Sequence, residues 1–172
     1  MPARITIIKG DITEQKVDAI VNATNNELLG GGGVDGAIHR AAGRALLDEC
    51  ELLGGCATGD AKITKGYKLP AKWVVHTVGP VWHGGNKGEE ALLASAYRRS
   101  LEVAASAGAK TVAFPSISTG AYRFPVGRAA SIAIMTIRDY IVQHDVFDEI
   151  RIVCFDGGTL SVYQKAENNL CQ

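Results

Sequence analysis

The apolar residues of this chain fall into five short, often β-branched runs, separated by longer stretches with a different periodicity. Short runs of this kind predict β-strands, and a run that is apolar throughout indicates a strand buried on both faces of a sheet. The predicted strands cover residues 5–8, 17–22, 73–78, 111–114 and 149–155. We expect the strand at residues 73–78 to be buried on both faces.

Between the strands, apolar side chains recur every three or four residues, which is the spacing of one face of a helix. Residues 89–107 carry the clearest stripe, and Gly108 is placed to end this helix. The stripe consists of Leu93, Tyr97, Leu101 and Ala104, and a second one in residues 127–143 consists of Ala130, Ile134, Ile137 and Ile141. Two further helices are predicted at residues 34–50 and from Thr159 onward.

This alternation of strands and helices predicts an α/β fold, namely a three-layer α/β/α sandwich around a mixed but largely parallel sheet. The length of 172 residues favours a single domain that spans residues 1–172. Such sheets bind their ligands in the loops at the carboxyl ends of the strands. The unusual residues of this chain lie in those loops.

The charges of the chain are balanced, with 18 basic and 18 acidic residues. Binding to nucleic acid or to a membrane surface usually depends on a basic excess, so neither is expected here. No stretch approaches the roughly 20 apolar residues of a transmembrane helix, and residues 1–6 lack the apolar run of a signal peptide. We therefore expect a cytoplasmic protein that holds any anion through local contacts.

The cysteines and histidines show neither a disulfide framework nor the spacing of metal ligands. We expect free thiols rather than a structural disulfide at the four scattered cysteines, which are Cys50, Cys56, Cys154 and Cys171. We expect structural or surface roles for the four histidines, which are His39, His76, His83 and His144.

Four consecutive glycines, at residues 30–33, precede the predicted helix at residues 34–50. A glycine run costs backbone entropy on folding, but it lets several N–H groups converge on one anion at a helix N-terminus. The pattern favours a diphosphate-binding loop over a mobile hinge. A dinucleotide-binding loop fits poorly, because about seven residues separate Asn22 from Gly30. A P-loop is excluded, because Val34 follows the glycines where a lysine is required.

Asp35 falls in the first turn of the predicted helix, where the helix dipole favours a carboxylate. Two roles fit that position equally well: an acid that stabilises the helix, or a general base that activates a water beside bound phosphates. Upstream, Asn22, Asn25 and Asn26 follow a predicted strand. Asparagine suits either a turn or the hydroxyls of a ribose, and three of them within five residues favour ligand contact.

Residues 115–125 form a second candidate loop, which joins a predicted strand to a helix and offers hydroxyls, small residues and glycine. This loop could form the other side of a phosphate clamp. Its aromatic residues, Tyr122 and Phe124, could pack against a sugar or belong to the core. After the first strand, Asp11 could accept a hydrogen bond from an adenine amino group or cap a turn.

Taken in series, these motifs resemble the macro domain family. The resemblance rests on Gly-Asp-Ile-Thr at residues 10–13, Val-Asn-Ala-Thr-Asn at 21–25, the glycine run with Val-Asp-Gly-Ala-Ile-His at 30–39, His-Thr-Val-Gly-Pro at 76–80 and Pro-Ser-Ile-Ser-Thr-Gly at 115–120. More narrowly, the chain is similar to the MacroD-type branch. The members of that branch deacetylate O-acetyl-ADP-ribose and remove mono-ADP-ribose from acidic side chains.

The resemblance implies a role for each motif. Asp11 and the Ile12 amide would contact adenine, with Phe155 packed against the ring. Asn25 and Tyr122 would position the distal ribose, and Asp35 would be the catalytic acid or base with Asn25 as its partner. The diphosphate would be held by the amides of Gly33, Val34 and Asp35 on one side and by Ser118, Thr119, Gly120 and Ala121 on the other. No metal and no organic cofactor is implied.

Two residues depart from the family pattern. Thr24 stands where the family usually has alanine, and Arg123 stands where glycine is usual. Thr24 could tune the pose of the ribose, and Arg123 could alter which acyl or protein substrates enter. Neither change removes a catalytic group.

The leading hypothesis is therefore a hydrolase, expected as a monomer, that acts on ADP-ribose derivatives such as O-acetyl-ADP-ribose or mono-ADP-ribosylated protein. A non-catalytic ADP-ribose reader is the alternative, and Asp35 discriminates between them because a reader does not need the acid. An RNA-associated or protein-regulatory role is a third hypothesis. It would use a basic patch at Lys62, Lys65, Lys68 and Lys72, for which a solvated face is the simpler interpretation.

Overall fold

The computed structural model describes residues 3–170, and these contain a six-stranded mixed sheet. Its strands are β1 (Arg4–Lys9), β2 (Ala19–Ala23), β3 (Ala61–Lys65), β4 (Trp73–Thr77), β5 (Thr111–Phe114) and β6 (Glu149–Cys154). They lie in the order β1-β6-β5-β2-β4-β3. All neighbouring strands are parallel except β3 and β4. The mixed, largely parallel sheet expected from the sequence is confirmed.

Helices cover both faces of this sheet. They are α1 (Gly33–Ala42), α2 (Arg44–Leu53), α3 (Glu89–Ser106), α4 (Val126–Gln143) and α5 (Gly157–Leu170), with a short 3-10 helix at Ile12–Glu14. Helices α1 and α2 pack on one face, and α3, α4 and α5 pack on the other, which confirms the three-layer sandwich. No helix within residues 3–170 is both long enough and apolar enough to cross a membrane.

The alternation of side chains along the central strands divides the core into two layers. On β2, Val21 packs with α3, α4 and α5, whereas Ile20 packs with α1 and α2. Asn22 follows Val21 and therefore points to the same face as Ile20. On β4, Val74 also belongs to the α1/α2 layer, and His76 lies two residues further on. Two polar side chains thus enter an apolar layer beneath α1.

The prediction of one continuous helix at residues 34–50 is wrong, because the helix is interrupted at Gly43. Helix α1 ends at Ala42 and α2 begins at Arg44. Gly43 has φ +91° and ψ 176°, a backbone conformation far from the helical region that glycine adopts at little cost. Its N–H still donates to the carbonyl of His39 at 3.1 Å and so closes α1.

Strand β3 was not predicted, because its five residues include two lysines and give only a weak apolar signal. It pairs with β4 alone and forms an edge of the sheet, where charged side chains are common. Lys65, Lys68 and Lys72 are exposed, and Lys62 is half-buried with Nζ donating to the carbonyl of Leu53 at 2.9 Å. These lysines fit the interpretation as a solvated face.

Three of the cysteines, Cys50, Cys56 and Cys154, are buried free thiols, as expected. Burial raises the pKa of each, to about 12 for Cys50 and about 11 for Cys154. Thiolates are therefore scarce at neutral pH, which excludes these three as ready nucleophiles. Cys171 lies outside the described residues.

Candidate functional site

Asp35 is the centre of the candidate site. It lies in the first turn of α1, and only 4% of its surface is exposed. Each carboxylate oxygen has its own donor: Asn22 Nδ2 donates to Oδ1 at 2.8 Å, and Thr24 Oγ1 donates to Oδ2 at 3.0 Å. Both donors come from the carboxyl end of β2. Asp35 is therefore held in one orientation by hydrogen bonds to a charged group, which are stronger than neutral ones.

The contact with Thr24 corrects a sequence-based expectation. Thr24 was expected to tune the pose of a ribose, but its hydroxyl is bonded to Asp35 instead. Residues 22 and 24 are two positions apart on an extended chain, so their side chains point to the same side. On that side, both side chains face the first turn of α1. The sequence did not reveal the contact, because nothing in the spacing places Asp35 over the end of β2.

The Asn22 amide links Asp35 to a second buried group. Asn22 Nδ2 lies 3.2 Å from His76 Nδ1, and His76 Nε2 lies 2.9 Å from Thr64 Oγ1. Turning the amide over would place its oxygen against Asp35 Oδ1, so the NH2 group faces Asp35 and donates to both neighbours. His76 Nδ1 is then the acceptor, and Nε2 carries the proton that is donated to Thr64.

The burial of His76 favours the neutral imidazole that this network requires. The side chain is fully buried, and desolvation, together with the nearby His39, lowers its pKa to about 3. Cys50 Sγ lies 3.7 Å from His76 Nε2 on the same face of the sheet. These buried groups cannot reach a ligand, so they support Asn22 and, through it, Asp35.

The glycine run folds closely against α1. A Cβ on Gly36 would lie 2.5 Å from the backbone oxygen of Gly31, so only glycine fits at residue 36. A Cβ on Gly31 would lie 3.2 Å from Asp35 Oδ2 and 3.6 Å from Asn25 Nδ2. The carboxylate and the Asn25 amide therefore approach the same point of the glycine run.

The glycine run also leads directly into the N-terminus of α1. The first residues of this helix are Gly33, Val34 and Asp35, whose N–H groups precede the regular i to i−4 bonding of the helix. Gly33 is exposed and Val34 is half-buried. These three predicted diphosphate donors therefore stand together at the positive end of a helix dipole, an arrangement suited to an anion.

The three asparagines at the carboxyl end of β2, which the sequence favours for ligand contact, have three different environments. Asn22 is fully buried beside Asp35. Asn26 Nδ2 donates to the carbonyl of Cys56 at 2.9 Å and holds a neighbouring loop. Asn25 Oδ1 accepts from the N–H groups of residues 27 and 28, at 3.1 and 3.2 Å, which leaves its amide nitrogen on the side of Gly31. Only Asn25 retains the predicted position.

The loop after β5 reaches across the end of β2. A Cβ on Gly79, which follows β4, would lie 2.2 Å from Ser118 Oγ and 2.6 Å from Ile117 Cγ2. Because β2 lies between β4 and β5, this contact spans the carboxyl end of β2. Further along, Trp82 N donates to the carbonyl of Tyr122 at 2.8 Å. The loop of residues 115–125 thus lies at the edge of the sheet that also carries Asp35.

This loop has a tightly defined backbone. Ser118 has φ +67° and Arg123 has φ +63°, conformations that are uncommon for residues other than glycine. Phe124 N donates to the carbonyl of Ser118 at 2.9 Å and closes the turn between them. Phe124 itself is 1% exposed and belongs to the core rather than to a sugar-binding surface. Non-glycine residues held at positive φ often mark a functional loop.

Buried tyrosines support the loop from below. Tyr163 OH and Ser116 Oγ lie 2.7 Å apart, and Tyr97 OH accepts from the N–H of Ile117 at 3.2 Å. Thr119 Oγ1 in turn donates to Ser116 Oγ at 2.7 Å. Gly120 and Ala121 are exposed, and Tyr122 is half-buried. Hydrogen bonds to two buried tyrosines therefore hold the segment that precedes the residues predicted to bind the diphosphate.

The predicted adenine contacts lie at the ends of β1 and β6. Gly10 N donates to the carbonyl of Cys154 at 3.0 Å, so the segments that carry Asp11 and Phe155 leave the sheet side by side. Asp11 Oδ1 accepts from Thr13 N at 2.9 Å and from Thr13 Oγ1 at 2.7 Å, which is the turn-capping role considered from the sequence. Phe155 is 82% exposed, an unusual position for phenylalanine.

Sequence reasoning missed one side chain beside Asp35. His39, one helical turn further along α1, has its Nε2 3.4 Å from Asp35 Oδ1. Its geometry is not that of a hydrogen bond, and among residues 3–170 this buried nitrogen has no hydrogen-bond partner. The signal was available, because residues four apart on a helix are neighbours. The sequence alone favours a structural or surface role for His39.

Away from this site, the described residues contain a surface depression but no cluster of metal ligands. Within residues 3–170, no group of three or more His, Cys, Asp or Glu side chains could hold a metal ion. A surface depression with a volume of about 340 Å³ is lined by residues that include Lys65, Tyr67 and Trp73. Lys65 pairs with Trp73, the first residue of β4, so this depression lies at the sheet edge opposite to Asp35.

Fold and site together define an α/β sandwich protein with a polar site at the carboxyl edge of a mixed sheet, between a glycine-rich helix N-terminus and a strained loop. The family model of the Macro domain matches residues 21–133. A macro domain-containing protein of Chlorobaculum tepidum is 60% identical over 168 residues, which cover 96% of this chain and 98% of the relative. The chain belongs to the macro domain family.

Two further similar proteins have names that state a reaction or a bound ligand. An O-acetyl-ADP-ribose deacetylase of Salmonella newport is 51% identical over 169 residues, covering 96% of this chain and 94% of the relative. A structure of a mutant Oceanobacillus iheyensis macrodomain with ADPR superposes with a TM-score of 0.92 at 41% identity, and the match covers 96% of this chain and 92% of that one. The resemblance to macro domains inferred from the motifs is confirmed.

Proposed function

We propose that this protein binds ADP-ribose derivatives and hydrolyses an ester bond at the distal ribose. The substrates would be O-acetyl-ADP-ribose, mono-ADP-ribose on acidic side chains, or both. The observation that carries this proposal is the buried carboxylate of Asp35, which has a donor on each oxygen and lies with Asn25 at Gly31. A module that only binds ADP-ribose does not need such an organised acid.

The ligand would run along the carboxyl edge of the sheet. Adenine would lie between Asp11, the Ile12 amide and the exposed ring of Phe155, above the adjacent ends of β1 and β6. The distal ribose would lie near Asn25 and Tyr122. The diphosphate would lie between two sets of donors, one formed by Gly33, Val34 and Asp35 at the start of α1, the other by Ser118, Thr119, Gly120 and Ala121.

In this arrangement Asp35 would orient and deprotonate a water next to the distal ribose, and Asn25 would hold the sugar. General base catalysis by a positioned carboxylate typically contributes a factor of about 10² to 10⁴. Positioning of the water and of the ester supplies a further part of the rate. A nucleophilic cysteine is not favoured among the described thiols, because burial raises the pKa of Cys50, Cys56 and Cys154. The relatives named as deacetylases support the same reaction.

The test is a pair of measurements on the purified protein. Calorimetry with ADP-ribose measures binding, and mass spectrometry of O-acetyl-ADP-ribose, compared with a sample without protein, measures turnover. We expect both binding and release of acetate. Binding without turnover of either an O-acetylated or a protein-linked substrate would identify a reader, and absence of binding would refute the proposal entirely.

A further inference from the structure

We propose that Thr24 is a positioning residue for the reaction, because its hydroxyl fixes the carboxylate oxygen of Asp35 that faces the ligand. This inference rests on the proposed function, in which Asp35 is the base. It concerns a side chain that the sequence linked only to the pose of the ribose. The observation is the hydrogen bond from Thr24 Oγ1 to Asp35 Oδ2 at 3.0 Å.

The two oxygens of Asp35 face different surroundings. Oδ1 accepts from Asn22, which belongs to the buried network with His76. Oδ2 lies near Gly31, because a Cβ on Gly31 would be 3.2 Å from it and 3.6 Å from Asn25 Nδ2. Oδ2 is thus the oxygen on the side of the glycine run and of the predicted ribose-binding amide. Thr24 therefore acts on the oxygen that would meet the water.

The Thr24 hydroxyl is itself rigidly placed. The residue is 6% exposed, and its N–H donates to the carbonyl of Thr77 at 3.0 Å, which extends the pairing of β2 with β4 by one residue. A β-branched side chain has few χ1 rotamers, so a fixed backbone also fixes the hydroxyl. The hydroxyl has one proton, which it donates to Oδ2, and that oxygen retains a second lone pair for a water.

Without this donor, Asp35 would be restrained through Oδ1 alone. Its carboxylate could then rotate about χ2, a torsion angle that has no sharp energy minimum in aspartate. Rotation moves Oδ2 away from the water and the ester, and small displacements of a catalytic group lower the rate strongly. The ground-state contacts of ADP-ribose would be retained, because they come from backbone N–H groups and from other side chains. Thr24 should therefore affect kcat rather than ligand affinity.

The test compares three variants of the purified protein with O-acetyl-ADP-ribose. Thr24→Val keeps the shape but removes the hydroxyl, Thr24→Ser keeps the hydroxyl, and Thr24→Ala leaves room for a water that could donate in its place. We expect Thr24→Val to lower kcat about tenfold, as for a lost hydrogen bond to a charged group, with a Kd for ADP-ribose within about twofold of the native value. Thr24→Ser should retain kcat within about threefold, and Thr24→Ala should lie between the two.

Three results would overturn the inference: undiminished kcat in Thr24→Val, an equal loss in Thr24→Ser, or a loss of affinity that matches the loss of kcat. Thermal melting identifies a variant that fails to fold, and if Thr24→Val does so, Thr24→Ala, which also lacks the hydroxyl, takes its place in the comparison with Thr24→Ser. Crystal structures of the valine and serine variants give a readout that does not require activity, since the Asp35 carboxylate should rotate only in the valine variant. A native protein without turnover would refute the proposed function, whereas an unrotated carboxylate would refute the role of Thr24.

Discussion

Asn22 and His76 are direct partners in the register of β2 and β4, and their side chains meet at 3.2 Å on the face covered by α1 and α2. The same Asn22 nitrogen donates to Asp35, so His76, which is buried in the sheet, helps to hold Asn22 and through it the proposed base Asp35. The support requires a neutral His76, because a proton on Nδ1 would oppose the NH2 group of Asn22.

The first prediction concerns stability against pH. The pKa of His76 is lowered by burial from 6.5 to about 3 in the folded protein. A lowered folded pKa means that the unfolded chain binds the proton more readily, so this contribution to stability is complete above about pH 6.5 and is lost as the pH falls toward 3. Between pH 7.5 and 5.0, His76 should lower the free energy of unfolding by about 2 kcal/mol.

Urea unfolding of the native protein and of His76→Asn at both pH values checks this. Asparagine retains an acceptor toward Asn22 but does not titrate, so its stability should depend less on pH by the same amount. Other groups titrate in both proteins and cancel in the difference. An identical pH dependence of the two proteins would contradict the prediction.

The second prediction concerns the carboxylate of Asp35. Asp35→Ala removes the proposed base but retains the backbone N–H at the start of α1, so the diphosphate contacts should persist. We expect kcat for O-acetyl-ADP-ribose to fall at least about 100-fold. The Kd for ADP-ribose should change less than about threefold. Asp48→Ala, at an exposed acid of α2, serves as the control and should leave both values unchanged. Equal losses of affinity and turnover would assign Asp35 to binding instead.

The third prediction concerns the contact between the glycine run and α1. In Gly36→Ala the new methyl group would lie 2.5 Å from the carbonyl oxygen of Gly31. The run must shift, so we expect a loss of about 1–3 kcal/mol in stability and a clear loss of ADP-ribose affinity. Gly32→Ala is the matched control, since a Cβ there meets nothing within 4 Å and φ is −94°. Thermal melting and calorimetry of both variants would show whether the effect is confined to residue 36.

The sequence predicted the sheet core and the start of α1 well, because both follow from local patterns. Ile134 and Ile137 are buried as their spacing predicted, and Asp35 begins its helix as the glycine run indicated. Strand β3 was not predicted from the sequence, because an edge strand is only half-buried and its two lysines interrupt the apolar pattern. The break at Gly43 was also missed, because a single glycine inside a helix-like pattern does not by itself reveal a positive φ.

The supports of the site could not be predicted, because they depend on register. That Asn22 lies beside His76, 54 residues away, follows only from the pairing of β2 with β4. The bond from Thr24 to Asp35 depends on how the first turn of α1 lies over the end of β2. The motifs predict the residues that would touch the ligand, whereas the residues that hold Asp35 in place follow only from tertiary packing.

The last prediction concerns Phe155, whose ring is 82% exposed directly after β6. An exposed ring contributes little to the fold, so Phe155→Ala should leave the melting temperature nearly unchanged. If the ring stacks on adenine, its loss should weaken ADP-ribose binding about tenfold, since stacking of a base on an aromatic side chain is worth about 1–3 kcal/mol. Phe155→Trp, which retains a stacking surface, should bind within about threefold of the native protein. Val142→Ala, at a 76% exposed apolar residue of α4, is the control for loss of exposed apolar surface. Unchanged calorimetric affinity in Phe155→Ala would remove the ring from the proposed adenine site and leave Asp11 and the Ile12 amide as its contacts.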